Sequence, residues 1–115
     1  RFREVLDLLP GAMSIIDSEG CYTFLNRAFV DLFGYTLSDI PTGREWFGRA
    51  FPDPECRKEA VTAWKKDLLH AGTGQVRSRI YDVRCADGEC KTILFQPVTL
   101  SDGNQYVVYR EQAGI

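Results

Sequence analysis

The sequence predicts an α+β fold in which one five-stranded antiparallel sheet carries short helices and one long helix on one face, with an amphipathic helix leading in. Three observations carry this prediction. Five runs rich in Val, Ile, Leu, Tyr and Phe, at 12–16, 21–25, 76–85, 90–100 and 105–110, have strand composition. Asp17-Ser18-Glu19-Gly20, Asp87-Gly88 and Ser101-Asp102-Gly103-Asn104 join neighbouring runs by tight turns. Such turns force antiparallel pairing, because a parallel return needs about a dozen residues. A helical block stands between the second and third runs and supplies the one crossover, which places helices together on one face.

The first element is a helix. Phe2, Val5, Leu6 and Leu9 fall at i, i+3, i+4 and i+7, Arg1, Arg3, Glu4 and Asp7 lie off that stripe, and Pro10-Gly11 ends it. So short a helix is marginal alone, so its stripe lies either on this chain's own sheet or against the same helix of a second copy. We divide the chain accordingly into a cap, 1–11, and a domain, 12–115.

After the first hairpin, Asn26 precedes Arg27-Ala28-Phe29-Val30-Asp31-Leu32-Phe33 and is placed to accept the first-turn N–H groups, and Gly34 closes that helix. Thr36 caps a turn containing Asp39, and Thr42-Gly43-Arg44-Glu45 is a capping box. Trp46, Phe47, Ala50 and Phe51 follow at helical spacing until Pro52. Asp53-Pro54-Glu55 starts the long helix, which runs to about residue 71. Its apolar face carries Cys56, Ala60, Val61, Trp64 and Leu68, with Arg57, Lys58, Lys65, Lys66 and Asp67 in solvent, and Gly72-Thr73-Gly74 releases the chain.

The hairpin, the Asn26 cap, FGYTLSDI at 33–40, Leu9-Pro10-Gly11, Trp46-Phe47 through Asp53-Pro54-Glu55 and the late Asp87-Gly88 turn, in this order, resemble the PAS sensor-domain family over nearly all 115 residues. The resemblance implies the PAS fold, a regulatory rather than catalytic role, and a leading helix that mediates homodimers. Phe2, Val5, Leu6 and Leu9 are then the dimer-interface candidates. The family's usual Asp-Ile-Thr-like exit after the last strand is replaced here by Arg110-Glu111-Gln112-Ala113-Gly114-Ile115.

Composition narrows the partners. The formal charge of −2, with Lys and Arg scattered, offers no face for a phosphate backbone, so nucleic acid is not an expected partner. No apolar run approaches the ~20 residues that span a bilayer, and no membrane contact is expected. A chain opening on Arg1 and stopping soon after a strand reads as a fragment of a longer protein, with its output domain outside the fragment. Cysteines unneeded as staples point to a reducing, cytoplasmic setting.

Chemical motifs are sparse. One histidine, His70, and cysteines at 21, 56, 85 and 90 without CxxC provide no metal-site spacing. Haem-binding members of the family use a histidine on this long helix, but His70 stands in the last turn, where the helix dipole accounts for it. Glu55-Cys56-Arg57-Lys58 lacks the Asn and the Phe-Leu-Gln of the adduct-forming flavin motif. Gly72-Thr73-Gly74-Gln75-Val76-Arg77 departs from a dinucleotide loop at Arg77, and no G-x-S-x-G elbow exists, so no catalytic residue and no cofactor is assigned. Cys85 and Cys90, read around an Asp87-Gly88 turn, form a facing pair: redox candidates, or two small apolar residues at a hairpin end.

What remains is the space between sheet and helices. Phe29, Phe33, Trp46, Phe47, Trp64 and Leu68, facing Tyr81, Leu94 and Tyr106, either fill it or line a small apolar pocket, with filling the default. The expected function is a sensory module of a signalling protein, a sensor histidine kinase or cyclic-dinucleotide enzyme, taking a small ligand or mediating dimerisation. Alternatives are a ligand-free dimerisation module and a thiol redox sensor on Cys85 and Cys90.

Overall fold

Three hairpin loops set the register of the sheet, and all three use one device. Each ends on a glycine in the left-handed region, Gly20 (φ 87°), Gly88 (φ 89°) and Gly103 (φ 87°). Their N–H groups donate back to the carbonyls of Asp17, Cys85 and Leu100, respectively. Asp17, Asp87 and Asp102 each accept a backbone N–H two residues on, the local bonding that makes aspartate a turn former.

The computed structural model describes residues 2–70 and 77–112, with the side chain of His70 excluded. Its elements are α1 (Phe2–Leu8), β1 (Ala12–Ile16), β2 (Tyr22–Leu25), α2 (Arg27–Phe33), α3 (Gly43–Ala50), α4 (Pro54–His70), β3 (Arg79–Arg84), β4 (Cys90–Thr99) and β5 (Gln105–Glu111). The predicted strand start at Val76, the Gly72-Thr73-Gly74 release, the role of His70 and the exit at 113–115 lie outside the described residues. The strands form one antiparallel sheet in the order β2-β1-β5-β4-β3, the predicted five-stranded α+β architecture. Pro97 lies beyond the last β4 pair with β3, Phe95 with Arg79, a strand-edge position that tolerates its missing N–H.

Alternation then sorts the strands into two faces. Ala12, Ile16, Val83, Ile93, Val107 and Tyr109 point toward α2, α3 and α4 and pack with Phe29, Phe33, Ile40 and Trp46 in the main core. Met13, Ile15, Phe24 and Tyr106 point the other way, where Leu6 of α1 covers them.

Asn26 ties the two layers together. Its Oδ1 accepts the N–H of Met13 (2.9 Å) and, as helix cap, that of Phe29 (3.0 Å). Its Nδ2 donates to the carbonyls of Leu6 (3.0 Å) and Gly11 (2.8 Å). Asp7 Oδ1 adds a bond from the N–H of Arg27, so the end of α1 is fixed to the start of α2.

Three local expectations are corrected. In the box at Thr42, the hydroxyl donates to the Glu45 carboxylate instead of capping the backbone, so the side chains satisfy each other. Asp67, expected in solvent, is buried, because Arg79 of β3 reaches it. Cys85 and Cys90 do not face each other. The loop has three residues, Ala86-Asp87-Gly88, not two; Cys85 N–H donates to Glu89 O, and Cys90 pairs with Arg84. Cys85 is consequently buried on the helix side while Cys90 is exposed, and all four cysteines are free thiols.

Candidate functional site

The candidate site is a cleft between α3, α4 and the helix-side face of β3, β4 and β5. Its cavity is about 60 Å³. Trp46, Phe47, Trp64 and Tyr81, all anticipated from sequence, line it together with Phe51 and Phe95. Ring centroids 5.5–5.8 Å apart run from Trp64 to Phe47, Phe51, Tyr81 and Phe95, so the wall is a continuous aromatic arc. Trp46 stands behind it, nearly fully buried, while Phe47, Trp64, Tyr81 and Phe95 are half-buried.

Polar groups occupy the floor and one end. Tyr22 and Tyr109 form the floor, and the Tyr109 hydroxyl lies 2.7 Å from Ser14 Oγ. Burial pushes both phenols well above the ordinary tyrosine value, so the floor is uncharged at neutral pH. Trp64 Nε1–H donates to Gln105 Oε1 (3.0 Å), which pins α4 to β5. At one end Arg79 donates through Nε and Nη2 to Asp67 at 2.6 and 2.7 Å, a bidentate pair joining β3 to α4, with Arg77 also in the lining.

The hydrogen bonds from Arg79 hold the Asp67 carboxyl below its ordinary value. A carboxylate depressed by folding contributes stability above its unfolded pKa, near 4, and loses it as pH falls through the folded value. Since Arg79 is 39% exposed, the contribution is discounted for solvent to about 1 kcal/mol. Asp67→Asn is therefore expected to lower stability at pH 7 by that order and to leave the variant less sensitive than the parent to acid below about pH 4, in urea melts across pH.

Of the other predicted pocket residues, Phe29 and Phe33 are buried beneath Trp46, with centroids 5.8 and 5.3 Å from it, and belong to the packed core. Leu68 is half-buried on α4 outside the lining. Leu94 and Tyr106 stand on the opposite sheet face, one residue out of phase with Phe95 and Val107.

Residues 1–68, more than half of the chain, match the sequence model of a family described as PAS domain. The chain belongs to the PAS domain family. Solved structures agree on the fold. The PAS domain of an HTR-like protein from Haloarcula marismortui is 16% identical with TM-score 0.73, covering 97% of this chain and 95% of that one. A domain of a sensory box sensor histidine kinase/response regulator from Geobacter sulfurreducens is 20% identical, also with TM-score 0.73, over 95% and 90%. The LOV protein of Rhodobacter sphaeroides is 18% identical with TM-score 0.71, over 96% of this chain and 65% of that one. No curated protein sequence matches the chain.

In this PAS domain the cavity of about 60 Å³ is less than half the ~150 Å³ of an apolar cavity that takes up benzene, so the side chains as placed here leave no room for a whole ring. Cys56 is exposed at the start of α4, outside the lining, and its hydrogen bond with Asp53 pushes the thiol up.

The face behind the sheet is the second candidate surface. Of the predicted dimer residues, Phe2, Val5 and Leu9 are 58%, 57% and 44% exposed. Leu6, grouped with them by periodicity, is buried within the chain, and Leu8, off the stripe, is exposed instead. Phe2 meets Tyr106 edge-on, so the exposed side of α1 continues onto the outer sheet face, where Ile80 is exposed and Leu94, Val98 and Val108 are half-buried. Among the described residues no helix is long and apolar enough to cross a membrane.

Proposed function

We propose that this PAS domain is the sensory module of a cytoplasmic signal-transduction protein, a sensor histidine kinase or a cyclic-dinucleotide enzyme, and catalyses no reaction itself. A small ligand enters the aromatic cleft, and α1 with the outer sheet face forms a homodimer that passes the change to a covalently linked output domain. One observation carries this reading: a single sheet has a partly open aromatic cleft on one side and an unfinished apolar surface on the other. Displacing α4 from Gln105 would load β5, whose reverse face carries Tyr106 under α1.

The dimer surface is tested by Val5→Glu. Val5 is 57% exposed, so the monomer should retain its melting temperature within a few degrees, while dimer association weakens by about tenfold or more in sedimentation velocity. An unchanged dimer would remove α1 from the interface. The small cavity favours a second reading, a ligand-free dimerisation module with a filled core. Cys85 and Cys90 lie on opposite faces as free thiols, which counts against a disulfide between them as the switch.

A further inference from the structure

We infer that the cleft selects a flat aromatic ring carrying one carboxylate; this rests on the cleft being the sensing site and names the chemistry it would take. The walls set the apolar part. Phe47, Trp64, Tyr81 and Phe95 present half-buried rings, and among the described residues every buried side-chain polar atom already has a hydrogen-bond partner. A group inserted there gains contact area and finds no unpaired donor or acceptor to satisfy, so its buried part is apolar.

Charge sets the other end. The ionised side chains in the lining are Arg77, Arg79 and Asp67, two guanidinium groups to one carboxylate. Asp67 takes Nε–H and one Nη2–H of Arg79, which fixes the guanidinium plane and leaves three of its five N–H groups uncommitted to Asp67. Arg79 remains 39% exposed and Arg77 is exposed, so both are within reach of an incoming anion. A held guanidinium fork matches the planar carboxylate, and the surplus positive charge excludes an ammonium group from the same position.

Size sets the response. The cavity of about 60 Å³ does not hold a whole ring, so entry requires the half-buried Phe47 and Trp64 to turn outward. Turning Trp64 breaks its 3.0 Å bond to Gln105, the residue that also donates to Thr99 at the end of β4. The ligand is thereby read as a change at the β4–β5 end of the sheet.

The test uses three probes of closely similar size on the intact chain: phenylacetate, 2-phenylethanol and 2-phenylethylamine, followed at the indole N–H signals of Trp64 and Trp46 by NMR. Phenylacetate is expected to move the Trp64 signal and to bind about tenfold more tightly than the alcohol, with the amine weaker still. Arg77→Gln, at an exposed position, should cut the preference for the acid over the alcohol by severalfold without altering the melting temperature. Equal or tighter binding of the alcohol or amine at Trp64 overturns the carboxylate selectivity while leaving the cleft a ligand site. Absence of any Trp64 shift at millimolar concentrations of all three overturns the inference, and the native mass of the purified chain then decides separately whether the sensing role fails with it.

Discussion

Replacing Asn26 by alanine is expected to lower the stability of the domain by about 4 kcal/mol. Asn26 is fully buried and holds four backbone groups from three segments: the N–H of Met13 and Phe29, and the carbonyls of Leu6 and Gly11. A methyl group in its place leaves all four without that partner, and each stranded buried group costs roughly 1–3 kcal/mol before the chain relaxes or water enters. For a chain of this size the melting temperature should fall by roughly 15 °C or more. Asn26→Asp separates the two halves of the role. The carboxylate can still accept from Met13 and Phe29, but it puts oxygen against the carbonyls of Leu6 and Gly11. Amide hydrogen exchange should then show α1 losing protection while α2 keeps its cap. Equal loss in both helices would contradict the division.

Trp46→Ala is expected to cost a similar amount, about 4 kcal/mol, through a cavity instead of lost hydrogen bonds. Trp46 is 2% exposed, and its ring lies 5.3–6.5 Å from those of Phe29, Phe33, Tyr35, Phe51, Phe95 and Tyr109. Because Trp46 also lines the cleft, removing it joins the vacated volume to the existing cavity. The enlarged space is apolar enough to remain dry, and benzene should raise the melting temperature of the variant by several degrees more than that of the parent. Differential scanning calorimetry with and without benzene reads both parts. Trp46→Phe, which keeps a ring in the centre, should recover more than half of the loss.

The fold was largely legible from the chain because its signals are local. Turn residues, the Asn26 cap, Gly34 and the Pro54 helix start each act within a few residues, and the structure uses each of them at the expected place. The cleft was legible only in part. Trp46, Phe47 and Trp64 follow from helical periodicity, but β5 carries tyrosines at 106 and 109, an odd spacing that forces them onto opposite faces, and alternation alone does not say which faces the helices. The same one-residue ambiguity separates Leu94 from Phe95. Asp67 and Arg79 carry no sequence signal as a pair, since they sit on different elements and meet only when β3 folds back along α4. The Cys85 and Cys90 error has the same character. One residue more in the loop than the tightest turn allows moves Cys90 opposite Arg84.

The central claim is that one face of the sheet takes a ligand and the other forms a dimer, and native mass spectrometry of the purified chain without reductant, compared with its denatured mass, tests both at once. The account predicts a dimer that carries one small molecule per chain, lost on denaturation, with the denatured mass equal to that of the unmodified sequence. A bare monomer at micromolar concentration would contradict it.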